Sequence, residues 1–171
     1  RFLKEIKNNE LQVISHFDTD GITSAAIMIR TLKEIDKKFS LKILKSLNKK
    51  EIEKLDKNKI TLFLDLASGN LQDIKEANLK KTFIIDHHII SEEIPKEIEI
   101  INSEMFQKQK ISGSGLTYLF CKEMSHSKKE MAKLAVLGMI GDQLEKELGK
   151  LNHGILEDSE IIRKRGLTIY P

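Results

Sequence analysis

The chain has 171 residues, 40% apolar and 32% charged, with two prolines and no tryptophan, which is the size and make-up of one globular domain and excludes a fibrous or low-complexity class. No apolar run approaches the roughly 20 residues that span a bilayer, so no membrane partner is expected. Twenty-nine basic against 26 acidic residues leave a net charge of +3, and small lysine groups such as Lys37-Lys38 and Lys49-Lys50 read as solvated faces; nucleic-acid binding has to be argued from a site. RFLKEIKNNE has no apolar signal core and the single Cys121 forms no internal disulfide, so a reducing cytoplasm is the expected setting.

In chain order, Leu11 to Ser15 (LQVIS) reads as a buried strand, and apolar residues at Ile22, Ala25, Ala26, Ile29, Leu32 and Ile35 then share one helical face. A strand over Leu41 to Leu44 precedes a charged helix at Lys49 to Lys54. Ile60 to Leu64 (ITLFL) runs into Asp65, a small-residue turn and a helix from Leu71. Thr82 to Ile85 (TFII) runs into Asp86, and Ile98 to Ile101 into Asn102. Such continuous apolar runs predict parallel strands covered on both faces. The C-terminal part reads as helical: Leu116 to Met124, Lys128 to Ile140 and Ile155 to Arg163. The expectation is an α/β fold, a parallel sheet with helices on both faces. GLTIYP opens another strand-like stretch where the sequence stops, which is expected of a truncated or excised domain.

Polar residues gather at the strand ends. His16, Asp18 and Asp20 follow the first strand at spacing two, which in extended backbone puts side chains on one face, and Gly21 permits the turn into the helix. Asp65 ends one strand, and Asp86, His87 and His88 end another. Sites in open parallel sheets form outside these carboxyl ends. Asp142 follows an apolar helix that ends at Gly141. A lone aspartate after a strand is most often a helix cap, and a lone histidine there a structural residue. Convergence of four such ends argues for something more. Acids cannot crowd together without compensation, and two divalent cations would supply it. Carboxylate and imidazole donors without thiolate suit manganese or magnesium better than structural zinc, in a pair suited to phosphoryl displacement.

SHFDTDG, FLDLASGN, IIDHH and GMIGD resemble, in order and spacing, the four motifs of the DHH phosphoesterase family, over about Val13 to Asp142. The His-x-Asp-x-Asp-Gly spacing and the segment INSEMFQKQKISGSGLTYLF are most similar to the RecJ branch. The resemblance implies that residues 1–171 are a DHH catalytic domain whose usual C-terminal substrate-binding domain is absent or truncated. It implies that His16 and Asp18 hold one metal, that Asp20, His87 and Asp142 hold the other, and that Asp65 bridges them. His88 would face the scissile phosphate, and Asp86 would orient His87. Ser112, Gly113, Ser114 and Gly115 open a helix whose N–H groups are expected either to hold a phosphate or simply to cap the helix. The implied activity is exonucleolytic cleavage of single-stranded DNA or RNA, with replication or repair proteins as partners. Two alternatives stand beside it: a hydrolase of short oligonucleotides or pyrophosphate, and a replication scaffold of the kind that has lost its metal ligands.

Overall fold

The computed structural model describes residues 1–105, 110–124, 128–144 and 149–162. Its elements are α1 (Phe2–Ile6), β1 (Leu11–His16), α2 (Thr19–Glu34), β2 (Phe39–Leu44), α3 (Lys49–Glu53), β3 (Ile60–Leu64), α4 (Leu71–Ala77), β4 (Lys81–Asp86), β5 (Ile98–Asn102), a 3-10 turn (Ser103–Met105), α5 (Gly113–Lys122), α6 (Lys128–Gly141) and α7 (Lys150–Ser159). All five strands pair in parallel, in the order β2-β1-β3-β4-β5. The order reverses between β1 and β3, and a crevice opens at such a reversal outside the strand ends.

Side chains alternate across the sheet. Val13, Leu62, Leu64, Phe83 and Ile85 meet α1, α2, α5, α6 and α7 on one face; Ile14, Phe63 and Ile84 meet α3 and α4 on the other. Strand β3 is buried at all five positions, as an apolar run between two helical layers should be. Strand β2 lies at the sheet edge, where Leu41 and Ile43 are exposed. No helix among the described residues is long and apolar enough to cross a membrane.

Three helices differ most from the sequence reading. The five-residue α1 was not expected; Phe2 anchors it by edge-to-face contacts with Phe83 and Phe120, at 5.1 and 5.4 Å. Helix α5 starts at Gly113 rather than Leu116, because Ser112 caps it by accepting the Gly115 N–H. Helix α7 covers Lys150–Ser159 rather than Ile155 to Arg163, and Glu160 stops it in the left-handed conformation at φ 54°. His126, Arg163 and the 166–171 stretch lie outside the described residues.

Candidate metal centre

Three strands and two helices bring the polar residues together. The chain leaves β1 at His16, and Asp18 caps α2 by accepting the Gly21 N–H at 2.9 Å. Helix and strand end meet so closely that a Cβ on Gly21 would lie 2.5 Å from the His16 carbonyl oxygen. Asp65 follows β3 with φ 56°, a left-handed conformation that aspartate tolerates better than most residues, while its N–H still bonds Ile85 O at 2.9 Å. Asp142 comes from the turn after α6, its N–H bonded to Gly138 O.

Asp65 stands between two groups. Its Oδ2 is 3.7 Å from His16 Nδ1, which is itself 2.8 Å from Asp18 Oδ2. Its Oδ1 is 3.2 Å from His87 Nε2, which is 3.3 Å from Asp142 Oδ2 and 3.7 Å from Asp20 Oδ2. Despite this crowding, both Asp65 oxygens, His16 Nδ1 and Asp142 Oδ2 are buried without an aligned hydrogen bond. Buried polar atoms left unbonded cost about 1–3 kcal/mol each, so a set facing one space needs an occupant. Neighbouring donors around an octahedral ion with bonds near 2.1 Å are about 3 Å apart; three of these spacings, 2.8, 3.2 and 3.3 Å, are close to that, and the two at 3.7 Å are wider. The donors form two clusters, His16–Asp18–Asp65 and Asp20–His87–Asp142, with a third from Asp65, His87 and His88. Cys121 is buried in α5 and belongs to none of them.

The electrostatics agree. Burial, then the charges of Asp20, Asp18 and Asp86, push the Asp65 carboxyl up to about 10. Burial and Asp20 push Asp142 up to about 6. Burial also acts to raise Asp18, but the Gly21 N–H and His16 outweigh it and hold that group below the usual carboxylate range. A cation at this place would relieve the two raised groups, Asp65 and Asp142.

Of the two expectations for Ser112–Gly115, phosphate cradle or cap, the hydrogen bonds fit the cap. Gly113 and Ser114 donate their N–H groups to the two Asp20 oxygens at 2.6 and 3.0 Å, so an internal carboxylate already occupies the helix start. Gly113 serves the site by having no side chain: a Cβ there would lie 2.7 Å from Asp65 Oδ1 and 3.0 Å from Asp20 Oδ2. The sequence reading missed Gly138 of α6, where a Cβ would lie 2.4 Å from Asp20 Oδ1 and 2.0 Å from Ser114 Oγ. Glycine inside a helix costs about 1 kcal/mol against alanine, and that was the available signal.

The role foreseen for Asp86 is corrected. Its Oδ1 stands 2.7 Å from His88 Nδ1, whereas it meets His87 only through the backbone N–H at 2.8 Å. Asp86 therefore orients the His88 ring, not that of His87. Burial works to raise Asp86, but the bond to His88 and those from Ser68 bring it down to about 2, and Asp86 in turn raises His88. His16 is steered from behind, with Nε2 3.1 Å from Lys45 O, so that Nδ1 faces the site. A cleft of about 310 Å³ opens alongside, lined by His16, Lys45, Asp65, Ser68, Gly69 and His88 among others.

Fold and site together define an α/β domain with a candidate metal centre built around one central carboxylate at its strand ends. Residues 10–141 match the DHH family, N-terminal domain, and the chain belongs to the DHH family. The uncharacterized protein MJ0831 of Methanocaldococcus jannaschii is 33% identical over 164 residues, covering 90% of this chain and 37% of that protein. The structure of exonuclease RecJ bound to manganese is similar at a TM-score of 0.76 and 18% identity, over 92% of this chain and 45% of that one. RecJ of Thermus thermophilus in complex with Mn2+ gives 0.75 and 20%, over 92% and 25%. CDC45 of Entamoeba histolytica gives 0.69 and 15%, over 92% and 36%. These likenesses show a shared fold, the parallel sheet being that of the RecJ DHH domain. The chain spans 37% of the length of its curated relative.

Proposed function

We propose that this chain is the catalytic core of a two-metal phosphodiester hydrolase, a RecJ-like exonuclease that removes nucleotides from an end of single-stranded DNA or RNA. The carrying observation is Asp65, whose two buried, unbonded oxygens each face a different group of ligand candidates. In this reading His16 and Asp18 hold one ion, Asp20, His87 and Asp142 hold the other, and Asp65 touches both. Manganese is the favoured ion, with magnesium as the alternative. Divalent cations, when bound, supply an activated water and offset charge at phosphorus. His88, with Nδ1 held by Asp86, lines the cleft and either stabilises charge on the phosphate or protonates the leaving oxygen. The likeness to a structure named exonuclease RecJ supports nucleic acid over smaller phosphate esters, and the likeness to CDC45 supports partners among replication or repair proteins.

The test is an assay of the full-length protein with manganese on end-labelled single strands of DNA and RNA of graded length. Stepwise shortening from one end is expected. Cleavage confined to dinucleotides or pyrophosphate would move the activity to the small-substrate class. Failure to bind manganese in calorimetry would leave the scaffold reading, against which the complete ligand set now argues.

A further inference from the structure

Strand β5 contributes no ligand candidate, yet it ends in a buried amide bonded toward the site. Asn102, Ser68 and Asp86 are all fully buried. Asn102 lies opposite Asp86 in the β4–β5 register, at the carboxyl ends of both strands. Its Nδ2 donates to Ser68 Oγ at 2.9 Å and to His88 O at 2.8 Å, and its Oδ1 accepts the Glu104 N–H at 2.8 Å. The chemistry leaves one orientation for this amide, because a backbone N–H can only donate and a carbonyl can only accept. Ser68 N–H donates to Asp86 Oδ2 at 2.9 Å, and Asp86 Oδ1 meets His88 Nδ1. The bonds close a ring that grips His88 twice, by its main-chain oxygen through Asn102 and by its imidazole through Asp86.

We infer that Asn102 is a positioning residue for His88, acting directly on the His88 carbonyl and indirectly through Ser68 and Asp86. A buried amide with no such task would be better replaced by an apolar side chain, since its desolvation has to be offset by hydrogen bonds. The effect on turnover rests on the hydrolase reading above; the effect on His88 does not.

The experiment compares Asn102→Ala, Asn102→Asp and Ser68→Ala with the parent. The aspartate keeps an oxygen for the Glu104 N–H but has nothing to donate to Ser68 or His88, so it separates capping of the 3-10 turn from positioning. If Asn102→Ala fails to fold, the other two variants decide. Manganese affinity by calorimetry should stay within about twofold, KM on a single-stranded oligonucleotide likewise, and kcat should fall about 10–100-fold, as for other residues that orient catalytic side chains. In protein labelled with 15N at histidine, the hydrogen-bonded Nδ1–H signal of His88 should be lost or broadened in both Asn102 variants. A lowered melting temperature with kcat and that signal unchanged would overturn the inference, as would equal losses of kcat and manganese affinity. Should the parent hydrolyse no phosphodiester, loss of the signal would still support the positioning while the hydrolase reading fell.

Discussion

A carboxyl group buried among three others needs a positive partner, and Asp65 is that group. Without metal, its carboxyl is raised to about 10, against about 3.9 in an unfolded chain. A raised folded value means the unfolded state gives up this proton first, so between about pH 4 and about 10 rising pH lowers stability. Asp65→Asn removes that decline: metal-free melting curves at neutral pH should show the variant at least as stable as the parent, while calorimetry shows its manganese binding lost. The paired histidines should separate cleanly. His87→Ala loses the ion shared with Asp20 and Asp142, whereas His88→Ala keeps both ions and turns over about 10²–10⁴-fold more slowly, the usual worth of a positioned acid. Loss of metal in both variants, measured by calorimetry, would contradict this division. The ligand candidates were legible in the sequence because each acid or imidazole closes an apolar run or, as Asp18 and Asp20 do, falls in the polar turn just after one. Which neighbour Asp86 would meet was not, because adjacent side chains at a strand end diverge and the turn after Asp86 decides between them. The contact between Asp20 and the start of α5 joins residues 93 positions apart and left no local trace.

At the scale of elements, the helical layer over α2 depends on how closely α6 can approach. Gly138→Ala would drive a methyl group into Ser114 and Asp20, and overpacking of this kind costs about 1–3 kcal/mol. Gly154 in α7 has nothing within 4 Å of the same atom, so Gly154→Ala should stabilise by about 0.4–1 kcal/mol. Urea unfolding of the two variants tests the pair; a similar change in both would refute the close approach. Strands β3 and β4 could be read from composition because both their faces are covered. Helix α1 could not, since five residues carry too little periodicity and its anchors on Phe83 and Phe120 are tertiary. Helix α7 was placed late because Leu151 is its single large apolar residue before Ile155, while Lys150, Asn152 and His153 open it on a polar note.

For the whole molecule, cations that bind only the folded chain should stabilise it by mass action, by about 2.7 kcal/mol at a free concentration 100 times Kd. Manganese should therefore raise the melting temperature, a chelator should reverse the rise, and Asp65→Asn should show neither effect. Cys121 offers an independent reporter. Burial pushes its thiol up to about 12, so at neutral pH it stays protonated and shielded, and a thiol reagent should label it only as the fold opens.

The ligand candidates run from His16 to Asp142 and include a residue beyond α6. A pocket assembled from such distant stretches is finished only when the last helices have docked on the sheet. Cations held there would bind only after the folding barrier has been crossed, so in a stopped-flow experiment manganese should act as a brake on unfolding while leaving the refolding rate as it was.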